Sequence, residues 1–160
     1  MPESDLRKVL DDAGIGYELL RHEHTESALA EAQALGIPAV DVAKTLVVKT
    51  KEGYVRAVLP ASERIDLHKL RELRGEGRHT VHLASEEDLA RDYRDFELGA
   101  VPPVGGTQRD PVVVDERVAA QESVVLEAGA HDESVRIASA ELVRVARAEV
   151  ADICEDQLTR

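Results

Sequence analysis

Apolar residues recur every three to four positions at the start of the chain, where Leu6, Val9, Leu10 and Ala13 fall on one face. That period predicts an amphipathic helix, stopped by Gly14. A short strand over Tyr17–Leu20 follows. A second helix is expected over about Glu26–Leu35, starting near Thr25 and stopping at Gly36, with Pro38 just beyond. The clearest pattern is a β-hairpin: Lys44–Lys49, a turn through Lys51-Glu52-Gly53, and Tyr54–Leu59. Asp66 is placed to cap a helix with Leu67, Leu70 and Leu73 on one stripe. After a strand over Thr80–Leu83, Ser85-Glu86-Glu87-Asp88 reads as a capping box opening another short helix. Leu98–Asp110 is a loop rich in glycine and proline. Strands over Val112–Asp115, Val124–Ala128 and Val135–Ala138 come next, then a helix from Ser139 to about Ala148. Hairpins with interspersed helices predict an α+β fold in one domain over residues 1–160. The expected sheet is mixed, mostly antiparallel, of about six or seven strands, partly barrel-like, with flanking helices.

Composition narrows the function classes. Aromatic residues are only 2% of the 160, namely Phe96, Tyr17, Tyr54 and Tyr93, so the core must be built from Leu, Val, Ile and Ala. The base-stacking platforms of single-strand binders are not available in quantity. A net charge of −12 argues against sequence-blind nucleic-acid binding, which depends on neutralising phosphates. It leaves room for binding one nucleotide end at a local positive spot. The single cysteine, Cys154, has no internal disulfide partner and points to a reducing compartment. No apolar run approaches spanning length, and the N-terminal helix is acidic and amphipathic, unlike a signal peptide. A soluble, cytoplasmic protein with no membrane contact, a monomer or weak dimer, is expected.

Lys44 is the first candidate for chemistry. It shares a strand face with Leu46 and Val48, while Thr45, Val47 and Lys49 share the other. If the Leu46 face is core, the ammonium is partly desolvated and requires an anion or several acceptors. If Lys44 is the exposed first position of the strand, it snorkels to water. The second candidate is the loop Leu98-Gly99-Ala100-Val101-Pro102-Pro103-Val104-Gly105-Gly106-Thr107. Its prolines fix φ and its glycines permit close backbone approach, so it either aims backbone N–H and C=O groups at a ligand or serves as a tight connection. It matches neither phosphate-loop nor dinucleotide patterns. His22 and His24 would point the same way on a strand, but no third metal ligand is near, and they read as surface residues. His68, His79, His82 and His131 are scattered. Cys154 lies in an acidic tail that should raise its pKa, and Asp115 reads as a turn residue.

These weak signals coincide with a family. Val42-Ala43-Lys44-Thr45-Leu46-Val47-Val48-Lys49 resembles the lysine-bearing strand of the YbaK / prolyl-tRNA synthetase insertion-domain family of aminoacyl-tRNA deacylases. Gly99-Ala100-Val101-Pro102-Pro103-Val104-Gly105 resembles its GxxxP loop. Ala57-Val58-Leu59-Pro60, Ile65–Leu70, Val112-Val113-Val114-Asp115, Ala128-Gly129 and Val135-Arg136-Ile137 follow in matching order. The resemblance covers roughly Tyr17 to Ile153. It implies hydrolysis of the ester between a wrongly attached amino acid and the 3′ end of a tRNA, a translation-fidelity activity, with no metal or cofactor. Lys44 would hold the terminal nucleotide, and Gly99 and Pro103 stand at the family's loop glycine and proline, positioning the ester or the attacking water. Leu46, Val58 and Leu59 would line the amino-acid pocket, with Val101, Gly105 and Gly129 as further substrate contacts. Gly129-Ala130-His131-Asp132 stands where many members carry Gly-x-Arg-Gly, and Gly-Ala-Val-Pro-Pro replaces Gly-Gly-x-Ser-Pro. Both departures bear on which amino acid is accepted. A synthetase or elongation factor is the expected partner for delivery, because so acidic a surface grips a tRNA body weakly. The competing expectation is a non-catalytic module that binds an aminoacyl-tRNA or a synthetase and regulates it.

Overall fold

The computed structural model describes residues 2–77 and 80–156; His79 lies outside the described residues. Helix α1 (Pro2–Asp12) turns Leu6 and Leu10 into the core, followed by Ile15, while Ala13 faces solvent. Strand β1 (Glu18–Arg21) leads to α2 (Ala28–Leu35). This helix begins later than its sequence suggests because Ser27, not Thr25, is its cap: the Ser27 hydroxyl accepts from the Ala30 N–H. Thr25 is occupied elsewhere, donating its N–H and hydroxyl to the His131 carbonyl.

A 3-10 turn (Ala39–Asp41) precedes the hairpin of β2 (Ala43–Thr50) and β3 (Gly53–Pro60). Next come α3 (Leu67–Arg74), capped by Asp66, then β4 (His82–Leu83) and α4 (Glu86–Asp92), whose Ser85–Asp88 capping box forms as expected. β5 (Val112–Asp115) runs into the one-turn helix α5 (Glu116–Ala119), and β6 (Ser123–Ala130) pairs with β7 (Glu133–Ala138). α6 (Ser139–Ala146) and β8 (Glu149–Ala151) close the order. Neither α5 nor β8 is announced by periodicity. α5 is too short to show any, and β8 is a three-residue strand held by parallel pairing to β5.

The fold is α+β, and its strands fall into two open sheets. One has three antiparallel strands in the order β1-β7-β6; the other has five, in the order β4-β2-β3-β5-β8. Their edges touch through a single parallel bridge between Val42 and Val125 and then part. β6 carries a register irregularity between Glu127 and Ala130, and a bulge of this kind bends and twists its strand.

Both faces of the five-stranded sheet are covered, which is why β5 and, apart from Arg56, the inner part of β3 read as apolar runs. Val48, Val55, Ala57 and Val113 pack against Leu70 of α3 and Ile153. On the other face Val58, Val112 and Val114 meet Leu126, Val135 and Ile137 of the smaller sheet, with Leu6, Leu10 and Leu142. Among the described residues no helix is long and apolar enough to cross a membrane.

Asp115 joins three segments. Fully buried, it caps α5 through the Arg117 N–H (2.9 Å) and accepts from the Ile153 N–H (2.9 Å). Replacing it by Ala removes a cap and orphans a buried donor, so Asp115→Ala should lower unfolding free energy by about 2–4 kcal/mol. Urea denaturation checks this; a loss below about 0.5 kcal/mol, the range of neutral surface substitutions, would contradict the role.

Candidate active site

The parting of the two sheets leaves a stretch of β2 uncovered. Outward pairing resumes at Val47, whose carbonyl accepts from Ala84 (2.9 Å), and at Val48 and Lys49 opposite β4. Between Val42 and Val47 the outer edge faces a cleft of about 220 Å³. Ala43, Lys44, Thr45 and Leu46 line it, with Ser27 and Ala28 at the start of α2, Gly99 and Val101 from the long loop, and Glu26 and Glu127. Alternate residues of an antiparallel ladder bond the same neighbour. Val42 O accepts from Ala61 on the β3 side and Val47 O from Ala84 on the outer side, so the backbone groups of Thr45 point outward, toward the cleft. Beyond Gly99 and Leu46 an apolar recess of about 140 Å³ continues along the edge, walled by Val47, Leu83, Leu89 and Val101.

Lys44 is partly buried, and desolvation lowers its pKa from the ordinary lysine value. An anionic ligand in the cleft would compensate that loss of hydration.

The long loop is held from beneath by Arg56, in the middle of β3. Its guanidinium is 2% exposed and donates to the Asp110 carboxylate (3.1 Å), the Pro102 carbonyl (2.9 Å) and the Gly105 carbonyl (2.8 Å). The Tyr93 ring packs 5.3 Å from the guanidinium carbon, and the Tyr93 hydroxyl donates to the same Asp110. Burial, together with that carboxylate, pushes the Tyr93 pKa up. Two glycines are required by the loop's path. Gly99 sits at φ 85°, rarely adopted with a side chain, and at Gly106 (φ 83°) a Cβ would come within 2.7 Å of the Phe96 ring.

Behind the cleft lies a group of buried ionisable residues. Fully buried Glu31 accepts from the Ser134 hydroxyl, which also meets His22 Nε2 at 2.8 Å; burial pushes the Glu31 pKa up to about 7. Glu127 Oε2 lies 3.0 Å from His131 Nδ1 and is pushed up to about 9 by burial and by Glu31, Glu97 and Glu26. His131 is 3% exposed.

The expected site residues therefore divide. Lys44, Leu46, Gly99 and Val101 meet at one cleft. Val58 and Leu59 are fully buried and lie in the packing beneath it. Pro103 and Gly105 line a separate depression of about 390 Å³ between α1, the loop and the end of α6. Gly129 is buried, and its carbonyl accepts from the Glu97 N–H (2.9 Å). Of the remaining candidates, His22 and His24 bond Ser134 and Glu26. Cys154 is fully buried, and its thiol is pushed up to about 12, chiefly by that burial and next by Asp115, not by the acidic tail. Among the described residues no group of three or more His, Cys, Asp or Glu is placed to hold a metal ion.

The family model for the aminoacyl-tRNA editing domain matches residues 22–145. This chain belongs to that family. It is similar to an Enterococcus faecalis protein, EbsC, provisionally named a Cys-tRNA(Pro)/Cys-tRNA(Cys) deacylase: 28% identity over 138 residues, 86% of this chain and 82% of that protein. It is 26% identical to the proline–tRNA ligase of Thermosipho melanesiensis over 61% of this chain but only 17% of the ligase. The crystal structure of a protein provisionally described as a trans-editing enzyme for prolyl tRNA synthetase superposes with a TM-score of 0.86 at 26% identity. That match covers 97% of this chain and 98% of the other.

Sequence reasoning about this editing domain passed over Arg56, Asp110 and Glu127, and gave His131 no part in holding the loop. The signal for Arg56 was present: a cation inside Tyr54–Leu59 poses the same question as Lys44 in its own apolar strand. Glu127 and His131 are only four residues apart, and His131 showed in the sequence only as one scattered histidine within the departure Gly129-Ala130-His131-Asp132. The Leu98 carbonyl that His131 reaches comes from a segment distant in the chain.

Arg56→Met would leave Asp110 buried without its cation. A loss of about 3–5 kcal/mol is expected, with faster amide exchange at Val101–Gly106; Arg56→Met combined with Asp110→Asn should cost less than the single change. Undisturbed exchange in a folded Arg56→Met protein would contradict the anchoring role. Glu31 supplies a pH test. Its folded pKa of about 7 lies above the ordinary 4.5, so the folded state holds the proton more tightly, and stability is lost as pH rises between those values. The Glu31→Gln protein should gain stability relative to wild type across that window. Parallel stability-against-pH curves from urea melts would refute it.

Proposed function

We propose that this editing domain is a trans-editing deacylase, its residues acting as one unit on a mischarged tRNA in the cytoplasm. The observation that carries the reading is the convergence of Lys44 with Gly99 and Val101 at one cleft on an open strand edge, although the loop lies more than fifty positions from Lys44 in the sequence. The similarity to proteins named deacylases and trans-editing enzymes supports it.

In this reading the Lys44 ammonium holds a phosphate of the tRNA's terminal nucleotide. The outward backbone groups of Thr45 and the loop backbone at Gly99–Val101 fix the ester. Water attacks the ester carbonyl carbon, and the bond to the ribose oxygen breaks. That oxygen leaves with a proton, releasing a free amino acid and a tRNA with an intact terminal hydroxyl. An aminoacyl ester is already activated, so positioning and a few aimed dipoles supply the acceleration required. Leu46 and Val101 bound the amino-acid side, and the apolar recess beyond them sets a size limit. Pro103 and Gly105 act indirectly, by fixing the loop over Arg56. Delivery by a synthetase or elongation factor fits the net charge of −12.

Deacylation of a panel of aminoacyl-tRNAs tests this. At least one should be hydrolysed faster than in buffer. Lys44→Ala should lower kcat/KM about 10–100-fold, the worth of a charge-assisted hydrogen bond, and Lys44→Arg should be impaired too. Binding of charged tRNA without hydrolysis of any member would favour a regulatory module over an enzyme.

A further inference from the structure

The Gly99 loop has a second anchor. His131 Nε2 lies 2.6 Å from the Leu98 carbonyl, next to Gly99, and the His131 ring packs 3.7 Å from where a Gly99 Cβ would stand. The Glu97 N–H bonds the Gly129 carbonyl, and Ala100 N–H bonds Glu97 O, both at 2.9 Å. We propose that His131 is a positioning residue of this deacylase, holding the Leu98 carbonyl so that Gly99 stays at the wall of the Lys44 cleft. This rests on the reading of the cleft given above.

The protons follow from the partners. Leu98 O only accepts, so Nε2 carries a hydrogen. The Nδ1–Glu127 contact at 3.0 Å then has two sound forms: a neutral imidazole accepting from protonated Glu127, or an imidazolium donating to the carboxylate. Both hold the same number of protons. Without that shared proton a nitrogen lone pair would face a carboxylate. The other groups facing the pair are Glu26, 4.0 Å from Nε2, the His24 ring at 5.1 Å, and Glu31 and Glu97. Burial, then the neighbouring Glu31, Glu97 and Glu26, push Glu127 up to about 9, which keeps the shared proton at the contact. The pair therefore both clamps the loop and keeps Glu127 from adding net negative charge to a cleft that must accept a phosphate.

Three variants test the clamp. His131→Leu fills similar space without a donor and should lower kcat about 10–100-fold, the effect of a small misplacement, with KM moving less than about threefold. His131→Gln, whose amide nitrogen can donate to Leu98 O, should recover most of the loss. Wild-type kcat in the Leu variant, or a Gln variant equally slow, overturns the proposal. Amide exchange at Gly99–Val101 is read independently of activity: it should quicken in the Leu variant and not in the Gln variant, and unchanged exchange in the Leu variant overturns the clamp. A wild type that deacylates nothing sinks the reading of the cleft, while exchange still judges the clamp. If His131→Leu does not fold, Glu127→Gln decides. Its amide donates to Nδ1 without titrating, so the decline in kcat near pH 9 expected of wild type, after subtracting spontaneous hydrolysis, should vanish; the same decline in both proteins overturns the proposal.

Discussion

A guanidinium buried in the middle of a sheet is the constraint from which the site follows. Arg56 is taken out of water by β2 and β5 on either side and by the Tyr93–Asp110 segment above, and an unpaired charge there would be prohibitive. It is compatible with folding because every side of the group is met: one carboxylate, two carbonyls and an aromatic face. Those acceptors belong to a loop with little regular structure of its own. Satisfying Arg56 and shaping the loop are therefore the same event, and the loop carries Gly99 and Val101 to the open edge of β2.

The cleft exists because the edges of two packed sheets meet at one bridge and separate. The bridge at Val42 and Val125 fixes where the gap begins, and Ala84 on Val47 fixes where it ends. Within it Lys44 shares the lining with two acidic residues, Glu26 and Glu127, in a protein of net charge −12. Such a field suits a single nucleotide end more than a long run of phosphates. The protonation of Glu127 and its pairing with His131 limit the negative charge that Lys44 must overcome. Arg56 and His131 hold the loop at its two ends, one beneath Pro102 and Gly105, the other at Leu98.

Most of the elements were legible because their signals are local. Caps at Asp66 and Ser85, the hairpin turn, the stripe Leu67-Leu70-Leu73 and the run Val112–Asp115 each lie within a few residues of one another. The failures were non-local. Thr25 looks as good a helix cap as Ser27 until the His131 carbonyl claims it. β8 exists only because β5 offers it an edge. Val58 and Leu59 were expected to wall a pocket because they are apolar and near the motif, yet apolar character equally suits the packing beneath it, where both lie fully buried.

The sequence by itself determined the α+β class, the family, and the pairing of one strand lysine with one glycine–proline loop, since each rests on residue order, periodicity and motif. Only the tertiary structure decided whether Lys44 faces water or a cleft, and that choice came from the parting of two sheet edges distant in the chain. It likewise placed Pro103 at a separate depression, and Arg56 and His131 against the loop. Buried polar groups are governed by which partners folding brings within about 3 Å, and no local pattern of residues carries that information.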